Sequence, residues 1–160
     1  MFEYLQEFWI PWTVSNTIAL LILILAIKKS RWARWAFFLL FAWACWINLR
    51  TASISPGDYM GYAELTPIGF YKDFISGWFK DNITTMVSVI AIGQGLIALG
   101  FLGKGWMVKL ACIGAILFFL GITPLGIGAG FPVPIIGIIT AYFILKKDDL
   151  DFAWRKGTMS

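Results

Sequence analysis

Histidine is absent from this sequence, and cysteine and charged residues are scarce. Without histidine the chain lacks the commonest metal ligand, the commonest general base and the usual axial ligand of haem. Cys45 and Cys112 are far apart and lie in apolar stretches, so we expect small buried side chains and not a redox pair. We therefore expect no metal site and no resident cofactor.

Sequence motifs of catalysis are absent as well, including the GxSxG elbow, the P-loop, HExxH and the dinucleotide fingerprint. No charged residue falls in the middle of an apolar stretch, which argues against a proton pump or an ion-coupled transporter. The net charge of +4 does not indicate nucleic-acid binding, because the charges flank apolar stretches and form no single basic face. The sequence favours a protein that is not an enzyme, without deciding the question.

Apolar residues, in contrast, are abundant: 59% of the chain is hydrophobic and 14% is charged, against about 25% charged in a soluble domain. This predicts one all-α membrane domain over residues 1–160, a bundle of five transmembrane helices in which a four-helix core is joined by an N-terminal helix. The predicted spans are 12–27, 32–49, 83–103, 106–123 and 134–145, with an outer loop over 50–82 and an inner tail over 146–160. In the outer loop, Phe70, Phe74 and Trp78 recur every four residues, which predicts an amphipathic helix at the membrane interface.

Basic residues are distributed unevenly between the predicted sides of the membrane. Ten of the 13 Lys and Arg flank the same side, whereas Arg50, Lys72 and Lys80 fall on the other. The positive-inside rule then places the N-terminus outside and the C-terminus in the cytoplasm. A four-span alternative, in which the last short span re-enters, puts the basic tail on the outer side.

Small residues line one face of each of two spans, and small residues let helices approach closely in lipid. The faces consist of Ser88, Ala91, Gly95 and Ala98 in one span, and of Ala111, Gly114 and Ala115 in the next. We expect the span 83–103 to be central in the bundle. These faces predict packing against other transmembrane helices.

A stretch without charge but rich in proline and glycine separates the last two predicted spans. Its helix-breaking residues are Pro124, Gly126, Gly128, Gly130, Pro132 and Pro134. We expect a non-helical segment here, which at membrane depth must be buried in protein or face a cavity.

Two groups of polar residues are candidates for chemistry. Asn16, Asn48 and Gln94 lie inside spans, where they either bond helices together or, for Gln94 and Asn48, line a pocket that holds a polar head such as a quinone carbonyl. Arg50, Glu64 and Asp73 lie in the outer loop. They are either solvated charges or, for the carboxylates, acid–base groups.

The run from Phe37 to Lys146 resembles the DoxX-like family of small bacterial membrane proteins. The shared layout is a helix, an outer amphipathic segment, a glycine-rich helix, here IAIGQGLIALGFLGKG, and two further helices. The resemblance implies a bacterial inner-membrane subunit, with some relatives associated with quinone-linked sulfur oxidation or oxidative-stress complexes. This chain adds an N-terminal span and has Gln94 where the family often has a carboxylate.

Three functions follow as hypotheses. The first is an accessory or structural subunit that packs against the helices of a larger membrane complex, with membrane lipid and other transmembrane subunits as partners. The second is a DoxX-like quinone-linked redox subunit, for which a lipid or a quinone is the ligand, with Gln94, Asn48 and Glu64 near the head group. The third is a small transporter or channel that uses the broken segment 124–134.

Overall fold

The computed structural model describes residues 2–155, with side chains described from Trp9 onward. Within these residues the chain is helical and has no strand. The α-helices are α1 (Phe2–Lys28), α2 (Ser30–Ile54), α3 (Tyr62–Leu65), α4 (Gly69–Phe74), α5 (Lys80–Leu102), α6 (Trp106–Ile122) and α7 (Val133–Lys147). Short 3₁₀ helices occupy Pro56–Gly61 and Thr123–Ala129, and a π-helical turn over Ile75–Phe79 joins α4 to α5.

Four helical stretches of the described chain are long and apolar enough to cross a membrane: Trp9–Lys28, Ser30–Ile54, Gly69–Leu102 and Trp106–Ala129. Large apolar side chains such as Leu96 and Leu117 point outward from the bundle and are more than half exposed. Lipid accepts such a surface, whereas water does not. The chain is therefore an integral membrane protein, which confirms the predicted all-α membrane class.

The segment 50–82, predicted as an outer loop that contains an amphipathic helix, is mostly helical. The helix α2 continues to Ile54 because nothing in Arg50–Ile54 breaks a helix, and it ends just before Pro56, which disfavours helical geometry in the preceding residue. The amphipathic segment runs through the π-helical turn into α5, with a non-helical backbone at Gly77.

The core of the bundle is aromatic where α2, α5 and α6 meet. Phe37 packs on Phe101 with ring centroids 5.2 Å apart, and Phe41 packs on Phe119 at 5.6 Å. All four rings are almost fully buried. Each such pair contributes about 0.5–1.5 kcal/mol beyond the area that it buries.

The small residues of the two predicted faces make contacts inside this chain. Ala91, Ala98, Ala111 and Ala115 are buried, whereas Ser88 is half-buried. A Cβ on Gly95 would lie 3.2 Å from the sulfur of Cys45 on α2, and one on Gly114 would lie 2.9 Å from Ile97 on α5. These faces are the contact surfaces between α2 and α5 and between α5 and α6.

A buried ion pair closes one end of the bundle, which we call the basic end because Lys28, Lys104 and Lys147 lie there. Arg34, with 0% of its side chain exposed, donates from Nη1 to Oδ1 of Asp148 at 2.8 Å. It also donates from Nε to the carbonyl of Phe101 at 2.9 Å and from Nη2 to that of Gly103 at 2.6 Å. One side chain of α2 therefore binds both the end of α5 and the residue that follows α7.

The helix α7 runs parallel to α1 between the two ends of the bundle. At the end opposite the basic end, which we call the loop end, the indole N–H of Trp12 donates to the carbonyl of Phe131 at 2.7 Å. At the basic end, Nζ of Lys147 donates to the carbonyl of Ile27 at 3.2 Å. The tail then folds over the basic end, where the amide of Gly105 donates to the carbonyl of Leu150 at 2.6 Å.

Candidate ligand-binding cavity

A cavity of about 610 Å³ lies at the loop end and is lined by residues of α2, α4, α5, α6 and the short helices between them. Pockets for small organic ligands have volumes of about 300–1,000 Å³ and mostly apolar walls with a few polar groups. This cavity fits that description. Its walls are apolar and aromatic apart from one amide and three phenols, which belong to Asn48, Tyr59, Tyr62 and Tyr71.

A chain of hydrogen bonds begins at the cavity wall and ends in the core. The hydroxyl of Tyr59 donates to Oδ1 of Asn48 at 2.8 Å, and Nδ2 of Asn48 donates to Oε1 of Gln94 at 2.9 Å. Gln94 is only 2% exposed and stands behind Asn48, so Asn48 lines the cavity and Gln94 does not. Of the two residues proposed from the sequence to line a pocket, Asn48 lies in the cavity wall, and Gln94 accepts its hydrogen bond from behind the wall.

The three tyrosines occupy different positions in the wall. The hydroxyl of Tyr71 donates to the carbonyl of Gly121 at 3.0 Å and so fastens α4 to the end of α6. Tyr59 and Tyr62 lie side by side with ring centroids 6.2 Å apart. Burial raises the pKa of both hydroxyls, that of Tyr59 being raised further by its neighbour Tyr62. Both phenols are therefore neutral at physiological pH.

The broken segment 124–134 forms one wall of the cavity through Leu125, Gly128 and Ala129. Short 3₁₀ turns occupy Thr123–Ala129, with Pro124 near their start, and the expected break in the helix lies at Gly126, whose backbone is non-helical (φ 61°, ψ −124°). The hydroxyl of Thr66 donates to the carbonyl of Pro124 at 2.7 Å. The segment is thus held against the residues around α3 on one side and faces the cavity on the other.

Close packing fixes Tyr62 against this segment. A Cβ on Gly128 would lie 2.7 Å from Cδ1 of Tyr62, so only glycine permits the contact. A second cavity of about 480 Å³ lies on the far side, between α1 and the segment, and Trp12, Ser15 and Asp58 are among its lining residues. Tyr62 and Gly128 line both cavities and form part of the partition between them.

The end of the broken segment packs against α1 through Asn16. Nδ2 of Asn16 donates to the carbonyls of Trp12 at 2.9 Å and of Gly130 at 3.1 Å. Gly130 has a left-handed backbone (φ 68°), and Pro132 and the buried Pro134 lead into α7. Asn16 therefore joins two segments of the chain and lines neither cavity.

The charged candidates of the outer segment are not brought together. Arg50, Glu64 and Asp73 are exposed, and none of them lines either cavity. Arg50 lies over the ring of Trp46, with its guanidinium carbon 5.5 Å from the centroid. Among the described residues there is also no group of three or more side chains that could hold a metal ion.

Sequence reasoning missed the three tyrosines of the cavity and the burial of Arg34. The sequence held only a weak sign of a tyrosine-lined cavity, which is that Tyr59, Tyr62 and Tyr71 all fall in the predicted outer loop. Nothing in the sequence indicated that Arg34 is buried, because its partner Asp148 is 114 positions away in the chain.

Comparison of the chain with protein-family models, curated proteins and solved structures gives no match in any of the three. The resemblance to the DoxX-like family thus stays a prediction from layout and glycine spacing.

Proposed function

We propose that this protein binds an amphiphilic molecule taken up from the membrane, with the polar head beside Asn48, Tyr59 and Tyr62 and the apolar part against the aromatic wall. The observation that supports this most strongly is the cavity of about 610 Å³, whose wall is apolar except for that small polar group. The hydrogen bonds from Tyr59 to Asn48 and from Asn48 to Gln94 hold the polar group in place before a ligand arrives.

The arrangement in the membrane is part of the proposal. Five crossings, with the N-terminus outside and the C-terminus in the cytoplasm of a bacterium, fit the course of α7 between the loop end and the basic end. Although α7 has only 15 residues, the 3₁₀ helix before it extends the path at the loop end. The basic end then faces the cytoplasm, as the positive-inside rule favours.

We assign α4 and the π-helical turn to the outer interface. Phe70 is 76% exposed and Trp78 57% exposed, while Lys72 and Asp73 are exposed beside them. Aromatic and charged side chains mixed on one short helix are typical of the boundary between lipid and water. The cavity below α4 would then open at the level of the outer leaflet.

The accessory-subunit function is the second candidate. The observation in its favour is the exposed apolar row on α5, formed by Val89, Ile92, Leu96 and Leu99, which a partner helix or membrane lipid would cover. The small-residue faces that first motivated this function are engaged within the chain. A DoxX-like redox role and transport through the segment 124–134 stay predictions; a quinone is one amphiphile of suitable chemistry for the cavity.

A tryptophan scan of one helix tests the proposal. Ile90 lines the cavity, whereas Ile92, two positions along the same helix, is 56% exposed to lipid. We expect protein extracted in mild detergent to carry a defined amphiphile, detected by mass spectrometry of the extracted small molecules. Ile90→Trp fills the cavity and should lower the bound amount about tenfold or more, while Ile92→Trp should keep it. Equal amounts in both variants would refute the site, and co-purifying protein subunits without a small molecule would favour the accessory-subunit function.

A further inference from the structure

The cavity wall carries no formal charge among the described residues that line it. The basic side chains of the loop end, Arg50, Lys72 and Lys80, are exposed and outside the lining. An ion that enters a site of low polarity without a counter-charge loses its hydration and gains little in return. The wall therefore disfavours a phosphate or carboxylate head inside the cavity.

The three tyrosine hydroxyls of the wall differ in whether their O–H group is still available to a ligand. Tyr59 already donates to Asn48 and Tyr71 to Gly121. No side-chain hydrogen bond in the described part of the chain engages the hydroxyl of Tyr62, and this oxygen is not among the fully buried atoms without a partner. Tyr62 lines the cavity, and its O–H group is still free to donate.

Two further features hold Tyr62 in position. Its ring is packed on Gly128, where a Cβ would lie 2.7 Å from Cδ1, and it stands beside the ring of Tyr59 at 6.2 Å between centroids. Tyr59, whose proton is used on Asn48, keeps oxygen lone pairs that can accept a hydrogen bond. The pair consequently offers one donor and one acceptor, both neutral.

We infer that the molecule bound in this cavity has an uncharged head, and that the hydroxyl of Tyr62 donates a hydrogen bond to a carbonyl or hydroxyl oxygen of that head. The inference rests on the proposed amphiphile-binding function and specifies its ligand class as uncharged lipids with an oxygen-bearing head. A phospholipid that places only its acyl chains in the cavity is the alternative that the test must separate.

Matched probes make that separation. Binding to the full-length protein in detergent is titrated by native mass spectrometry with dioctanoylglycerol, a decyl-substituted benzoquinone and dioctanoyl-phosphatidylglycerol. We expect at least one uncharged probe to bind about tenfold or more tightly than the anionic probe, which has the same acyl chains as the first. Tyr62→Phe keeps the ring and its contact with Gly128, and should weaken the uncharged probe roughly fivefold to tenfold. Tyr142→Phe, on the lipid-facing side of α7, is the control and should bind as the original chain does.

Each outcome decides a separate point. Equal binding of the anionic and uncharged probes overturns the inferred ligand class but leaves an amphiphile site. Unchanged binding by Tyr62→Phe overturns the assigned hydrogen bond. Failure of all three probes to bind overturns the inference and the proposed function together. The comparison of probes on the unmodified protein does not depend on any variant folding, and the unfolding midpoint of Tyr62→Phe shows whether that variant is intact.

Discussion

Arg34 and Tyr62 are single residues whose surroundings determine what they do. Both are polar side chains in a largely apolar chain, yet every side-chain nitrogen of Arg34 is hydrogen-bonded, whereas Tyr62 lines a cavity. From the sequence, Arg34 was one of ten basic residues on the predicted cytoplasmic side. Its burial depends on a tail that folds back more than a hundred positions later, and local sequence carries no information about that contact.

Removing the charge of Asp148 tests the role of Arg34. Asp148→Asn leaves a buried guanidinium without its counter-charge, so we expect the free energy of unfolding to fall by about 3 kcal/mol or more. The control is Asp149→Asn, since the neighbouring pair of Asp149 and Arg31 is partly exposed and should change stability by less than about 1 kcal/mol. Denaturant-induced unfolding in detergent measures both variants. A loss in Asp148→Asn no larger than that in Asp149→Asn would contradict the structural role of the pair.

At the scale of elements, the long helices could be predicted from sequence, whereas of the short ones only the helical segment around Phe70, Phe74 and Trp78 was predicted. In lipid a backbone must bond to itself, so a long and predominantly apolar stretch is expected to be a helix, and the described chain has four such helical stretches. The region 54–80 is not a long apolar stretch, so this requirement does not determine its structure. Its 3₁₀ and π-helical turns depend on where Pro56, Gly69 and Gly77 allow the backbone to bend and on the contacts that tyrosines make afterwards.

Helix α7 packs on α6 through a glycine, and this contact yields a second prediction. A Cβ on Gly137 would lie 2.5 Å from the ring of Phe119, which in turn packs on Phe37 and Phe41. Gly137→Ala should therefore lower the free energy of unfolding by about 1–3 kcal/mol, because the aromatic core has to shift. Gly93→Ala, where a Cβ meets nothing within 4 Å, should be neutral or stabilising by up to about 1 kcal/mol. Thermal unfolding measures both variants, and equal melting temperatures would contradict the contact.

At the scale of the whole molecule, the sequence predicted a membrane bundle with most of its basic residues at one end. It did not predict the shape or the position of the cavity. A cavity results from the space left between helices, and its wall combines residues from 48 to 129 that no periodic pattern groups together. The sequence did contribute Asn48 and Gln94 as pocket candidates. The structure adds that Gln94 does not line the cavity but accepts a hydrogen bond from Asn48, which does. It also shows that the broken segment contributes part of the wall.

The number of crossings gives a prediction at this scale. Ser76 lies at the loop end and Trp154, which is 62% exposed, at the basic end. With five crossings, a membrane-impermeant maleimide added to intact bacterial cells should label Ser76→Cys and leave Trp154→Cys unlabelled until the membrane is opened. The unmodified chain, whose cysteines lie within spans, is the background control. Labelling of both variants in intact cells would instead indicate that α7 does not cross.

The most direct test of the central claim is photo-crosslinking in the native membrane from two neighbouring positions. Phe74 lines the cavity, while Trp78, stacked on it at 5.9 Å between centroids, is not among the lining residues. With benzoyl-phenylalanine at position 74, we expect one dominant crosslinked amphiphile, identified by mass spectrometry. The same group at position 78 should capture the mixed lipids of the bulk membrane. If both positions gave the same lipid mixture, the cavity would hold no selected molecule and the proposed function would be wrong.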